Sequence, residues 1–165
     1  MTTSGIHDAA ALSLAEIADA EVRLELREAP ERGHEIPTTL DGGWWPHTRE
    51  LALELPLLVD AFAERGMRVT RVIYHPSLWL IAPPKLRVGG RVVHLGWFRE
   101  IDPHLISLRT SQGDRVELLV VPPEASADVA ARALAAAVLP GNRTSPTEIL
   151  EAAETAQTSE DVTAP

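Results

Sequence analysis

Four histidines, His47, His75, His94 and His104, together with Glu50, Glu54 and Asp102, are the side chains of the central region whose types could move protons or hold a metal. A zinc site needs three or four such ligands around one ion, and closely spaced pairs are its usual trace in sequence. Here there is no HExxH and no cysteine, and the histidines are spread from 47 to 104. Asp102-Pro103-His104 has a conformational reading: proline keeps the preceding residue extended, and the aspartate can close an Asx-type turn at a strand entry. Glu50 and Glu54 stand one helical turn apart and read as a solvated helix surface. Ser77, Ser107 and Ser111 fall in turns or strands, and no GxSxG accompanies them. "RVGGRV" lacks the GxxxxGK[ST] spacing and lies between two strands, so it is not a phosphate loop. No catalytic residue, metal or cofactor is therefore expected. An enzyme would need a pocket between the Trp44–Trp45 loop and the Asp102–His104 turn.

The charges are better placed for binding. The chain carries −9 overall, yet Met67 to Arg99 holds six basic residues and no acidic one, leaving −15 on the rest. Planar guanidinium groups hold carboxylates or phosphates bidentately. Arg68, Arg71, Lys85, Arg87 and Arg91 are accordingly candidate contacts for a small anionic ligand or an acidic protein partner, with Tyr74, Trp79 and Trp97 as nearby stacking groups. The surrounding negative charge disfavours long nucleic acids and anionic membranes. The competing reading is an ordinary solvated sheet face, whose ion pairs contribute little.

Trp44 and Trp45 in "DGGWWPHTRE" complete the candidate set. In an extended segment adjacent side chains point to opposite faces, so only one ring can sit squarely in a core. The other either covers the following helix start or forms an exposed recognition platform.

Around these residues the chain reads as strands and helices. "EVRLELRE" (21–28) alternates Val22, Leu24 and Leu26 with charges, as a half-buried strand does. Thr48 is placed to cap a helix with Leu51, Leu55, Leu58 and Phe62 on one stripe, stopped by Gly66, with a kink or restart near Leu55 that sets Pro56 in a first turn. "MRVTRVIYH" (67–75) reads as a strand in which Arg68 and Arg71 differ in parity. Gly89-Gly90 suits a two-residue primed turn that pairs Val88 with Arg91 and Leu86 with Val93, setting Lys85 and Arg87 outward. A three-residue loop, Ser111-Gln112-Gly113, pairs Leu108 with Val116 and Ile106 with Leu118. An Ala-rich helix follows, capped near Ser126 and stopped by Pro140-Gly141, and "SPTEILEAAE" opens another with a capping box.

The fold class expected is α+β: one domain with a twisted, mostly antiparallel sheet of about five to six strands and helices packed on one face. Residues 1–20 read as a flexible tail, 21–153 as the domain and 154–165 as a disordered tail. No apolar run reaches membrane-spanning length and the start resembles no signal peptide, so a cytoplasmic setting is expected.

In this order and spacing, "DGGWWPHTRELALELPLLVDAF", "RVIYHPSLWLIAPPKLRVGGRVVHLGWFREIDPH", "LLVVPP" and "AARALAAAVLPGNRTSPTEIL" resemble the actinobacterial family catalogued as domain of unknown function 5994. The resemblance spans roughly Val22 to Ala152. It implies a small stand-alone cytoplasmic protein and carries with it no activity, substrate or cofactor.

Overall fold

Leu51, Leu55, Leu58 and Phe62 are all at most 1% exposed, because their spacing sets them in one stripe along helix α1 (Leu51–Glu64). The computed structural model that shows this describes residues 21–27 and 40–163, with side chains to residue 158. The expected tail at 1–20 and the turn-rich stretch 29–39 lie outside the described residues. Two details of α1 differ from expectation. Its N-cap is Glu50, without a side-chain cap, while the Thr48 hydroxyl accepts from the Glu50 N–H at 3.2 Å. The helix also runs unbroken through Pro56. Pro56 has no N–H to donate, so the intrahelical bond that is lost is the one to the Ala52 carbonyl near the helix start. At the far end Gly66 (φ 79°) closes a Schellman motif: its N–H donates to Ala63 O, and Met67 N–H donates to Phe62 O.

The strands are β1 (Leu24–Leu26), β2 (Gly42–Trp44), β3 (Val69–Tyr74), β4 (Lys85–Val88), β5 (Arg91–Trp97), β6 (Leu105–Thr110) and β7 (Arg115–Val120). They form one sheet of seven strands in the order β1-β2-β7-β6-β3-β5-β4. Seven strands correct the expectation of five to six, and four of the six pairings are antiparallel. The sheet is mixed, because β2 runs parallel to β7 and β3 parallel to β5. The second parallel pair arises because the 75–84 loop steps past the position beside β3 and lays β4 at the edge, so the hairpin returns β5 into the gap.

Both hairpins have the register that their turn residues dictate. Gly89 (φ 57°) and Gly90 (φ 79°) pair Val88 with Arg91 and Leu86 with Val93, and Gly113 (φ 88°) closes the turn that pairs Leu108 with Val116.

Helices lie on both faces of the sheet, not one. Along β7 the alternation sends Leu118 and Val120 into a core with α1, while Leu119 joins α2 (Ala127–Ala137) and α3 (Pro146–Thr163) on the other side. Ser126 caps α2 by accepting from Val129 N–H at 3.2 Å, and Ser145 caps α3 by accepting from Glu148 N–H at 3.3 Å. α3 continues to Thr163, well past the boundary placed near 153. Ala153 is the last residue of that core, and beyond it Gln157 still reaches Ser126, at 2.7 Å.

Candidate functional site

α2 packs on β2 and β7, and among the described residues no element covers the same sheet face over β5 and β4. The exposed residues there fall on one line across the strands. Register pairs Lys85 with His94, His94 with Arg71, Arg71 with Arg109 and Arg109 with Arg115. All five side chains are solvent-exposed. Neighbouring strands are ~4.8 Å apart, so the rung of five is a row of about 19 Å. Arg87 extends it outward at the edge strand, opposite Val92, which is 42% exposed. Like charges placed directly opposite one another destabilise a sheet, and this arrangement repeats that cost across several strands. Only at one end is it relieved, where Arg115 hydrogen-bonds the Glu117 carboxylate. Among the described residues Arg71, Arg109, Lys85 and Arg87 have no ion-pair partner.

The candidate cations therefore divide. Arg71, Lys85 and Arg87 share the bare face with His94, joined by Arg109 and Arg115, which lie beyond the acid-free window that ends at Arg99. Arg91 pairs with Val88 and so points to the opposite face, where with Arg68 it lines a groove between α1 and the β4–β5 hairpin.

The tryptophans are placed on opposite sides of β2. Trp44 is 2% exposed and stacks on Trp79, with ring centroids 5.5 Å apart and planes at 23°. It is a core residue, and burial takes it out of any contact surface; Trp79 and Tyr74, equally buried, are not free for stacking either. Trp45 is half-buried against the α2 side, donates from its indole N–H to Pro122 O at 3.1 Å, and carries the Arg23 guanidinium 3.6 Å above its ring.

The segment around them is held from every side. Asp41 accepts from the Glu117 N–H at 2.8 Å while its own N–H donates to Glu117 O at 2.8 Å, clamping the chain to β7. A Cβ on Gly42 would stand 2.1 Å from Glu25 O, and one on Gly43 2.8 Å from Leu134 Cδ2, so the glycine pair lets β2 pass between β1 and α2. Arg23 donates to the carbonyls of Trp45 (2.9 Å) and Pro46 (2.8 Å). Burial pulls its guanidinium below the usual arginine range, opposed by the charge of Glu54. Glu54 itself is 1% exposed, not the solvated helix residue expected. Its carboxylate accepts from the His47 N–H at 2.5 Å and the Thr48 hydroxyl at 3.3 Å, and His47 Nδ1 lies 3.4 Å away. The buried carboxylate of Glu54 is thus satisfied, as burial requires, whereas Glu117 Oε2 is buried without a hydrogen-bond partner among the described residues.

At the proposed enzyme pocket, Asp102 is engaged on both oxygens. One accepts from the His104 N–H (2.8 Å) and the Thr147 hydroxyl (2.7 Å), the other from the Thr147 N–H (3.2 Å). His104 Nδ1 is directed to Val120 O at 3.3 Å. The pair shapes the entry to β6 and ties it to α3. The remaining histidines stand apart, His75 on Ser77 (2.8 Å) and His94 on the rung, and no three potential metal ligands cluster among the described residues.

A family model matches residues 23–137, most of the chain. The chain belongs to DUF5994, a family of unknown function. The match takes in the whole of the sheet from Leu24 to Val120 and α2, but ends before α3. No curated protein and no solved structure matches the chain. This DUF5994 member is thus a single mixed sheet with helices on both faces, one face of which is bare over its β5–β4 end. Among its described residues no helix is long and apolar enough to cross a membrane.

Proposed function

We propose that the protein is a binding module, without catalytic chemistry of its own, that docks an acidic protein segment across the bare half of its sheet. The observation that carries this reading is the rung Lys85–His94–Arg71–Arg109–Arg115, four cations and a histidine on five adjacent strands of a chain whose net charge is −9. A small anion would satisfy one or two members of a row ~19 Å long, whereas an extended segment with several carboxylates matches its length. The acidic remainder of the molecule raises the cost of a long nucleic acid and leaves a short acidic segment acceptable.

The test is fluorescence anisotropy of a labelled oligoglutamate peptide with the full chain, in a salt series. Binding at low salt should weaken as salt screens the row, and the Arg71→Glu, Arg109→Glu double variant should lose it while keeping its far-UV circular dichroism. Peptide binding that ignores the double variant overturns the reading. A single-stranded oligonucleotide of equal charge that binds tighter than the peptide would overturn it in favour of nucleic acid.

A further inference from the structure

The opposite face of the same hairpin holds a second feature, independent of the rung. Between α1 and β4–β5 runs a groove of about 350 Å³. Its floor is apolar: Val59, Val69, Val88 and Val93, at most 9% exposed each, together with half-buried Met67. Its strand-side rim carries Arg68 and Arg91, which among the described residues have no ion-pair partner. The mouth is open, since a Cβ added at Gly66 or Gly89, both lining it, would meet no atom within 4 Å.

These parts have one chemical complement. The volume lies at the lower end of the range for small-molecule sites, and such sites pair apolar walls with a few charged anchors. An apolar floor takes a hydrocarbon body, and two guanidinium groups on one side take an anionic head. We infer that this groove is a binding site for a small amphipathic carboxylate, its chain on the valine floor and its head against Arg68 and Arg91. Asp60, on the α1 side, sets the polarity: it repels a carboxylate from that wall and so fixes which way the ligand lies.

Octanoate is the probe, followed by ¹H–¹⁵N correlation spectra of the full chain, with octanol and acetate as the chain-only and head-only comparators. Octanoate should shift the amides of Met67, Arg68, Val88, Gly89 and Arg91 at concentrations where octanol and acetate do not. The Arg68→Gln, Arg91→Gln double variant should weaken octanoate by about tenfold or more. Both side chains are exposed, so the fold should survive. Ala63→Phe, on the exposed side of α1, should block the groove, while Arg71→Glu, Arg109→Glu on the other face should leave octanoate binding intact. Equal binding of octanol and octanoate overturns the inference. So does loss of octanoate binding in the Arg71→Glu, Arg109→Glu variant, or octanoate binding that the Ala63→Phe variant retains in full.

Discussion

At the two tryptophans the side chain that matters for stability and the one that meets solvent are adjacent in sequence and opposite in role. Trp44→Ala removes a 2%-exposed ring stacked on Trp79 and should cost about 3–5 kcal/mol in urea unfolding. Trp45→Ala removes one hydrogen bond and the ring under Arg23, and should cost about 1–2 kcal/mol. Equal losses would contradict the opposite-face geometry. Opposite facing was legible from the extended reading of the segment; which ring lies inside was not, because it depends on which side of β2 receives α1. Glu54 was misread for a related reason. Spacing from Glu50 suggests a solvated pair, but only the fold brings the His47 N–H onto the carboxylate. Arg109 and Arg115 are also legible, since pairing Leu108 with Val116 sets them opposite each other, although both lie outside the acid-free window.

The two hairpins carry their own turn chemistry and are legible in the sequence, whereas elements defined by partners are not. Gly89-Gly90 and Gly113 fix both hairpins locally, whereas β2 is Gly-Gly-Trp, a strand without the side-chain pattern of one, made by the close passage between β1 and α2. The parallel β3–β5 pairing likewise depends on where a loop lands. Connections of this kind are held by Arg49, just before α1. It donates to both Glu124 oxygens, at 2.6 and 2.8 Å, and to Leu78 O at 2.8 Å, joining the approach to α1 to two distant loops. The hydrogen bond from Arg49 holds the Glu124 carboxyl below the usual glutamate range. A depressed acid stabilises the fold above its unfolded pKa, near the ordinary glutamate value of about 4.3, and that contribution is lost as pH falls through the lower folded value. Glu124→Gln should therefore lower stability at pH 7, by about 0.5 kcal/mol given that the partners are 37% and 58% exposed, and the difference should close below pH ~4. A difference that persists in acid would show that packing, not charge, is responsible.

Taken whole, the molecule has two unequal cores on the two faces of one sheet. The first holds Trp44, Phe62, Tyr74 and Trp79; the second is built mainly of alanine, valine and leucine on α2 and α3. Large rings bury more apolar area per residue, so the second layer should open at lower free energy. Native-state hydrogen exchange should find α2 and α3 amides exchanging through a partial opening, while β3 and β6 amides wait for global unfolding; uniform protection would show one cooperative unit. Two layers around a single sheet were legible as α+β, but their placement on both faces required knowing that Leu118 and Leu119 are both buried.

The parallel seat of β2 beside β7 also has a consequence for synthesis. Asp41 is clamped to Glu117, 76 residues later, so the strand that ends at Trp44 has no neighbour on that side until β7 has left the ribosome. The nascent chain must carry Trp44 and Trp45 without that neighbouring strand through most of its translation. Its first half is therefore the part most exposed to holdases during synthesis, until β7 and then α2 arrive.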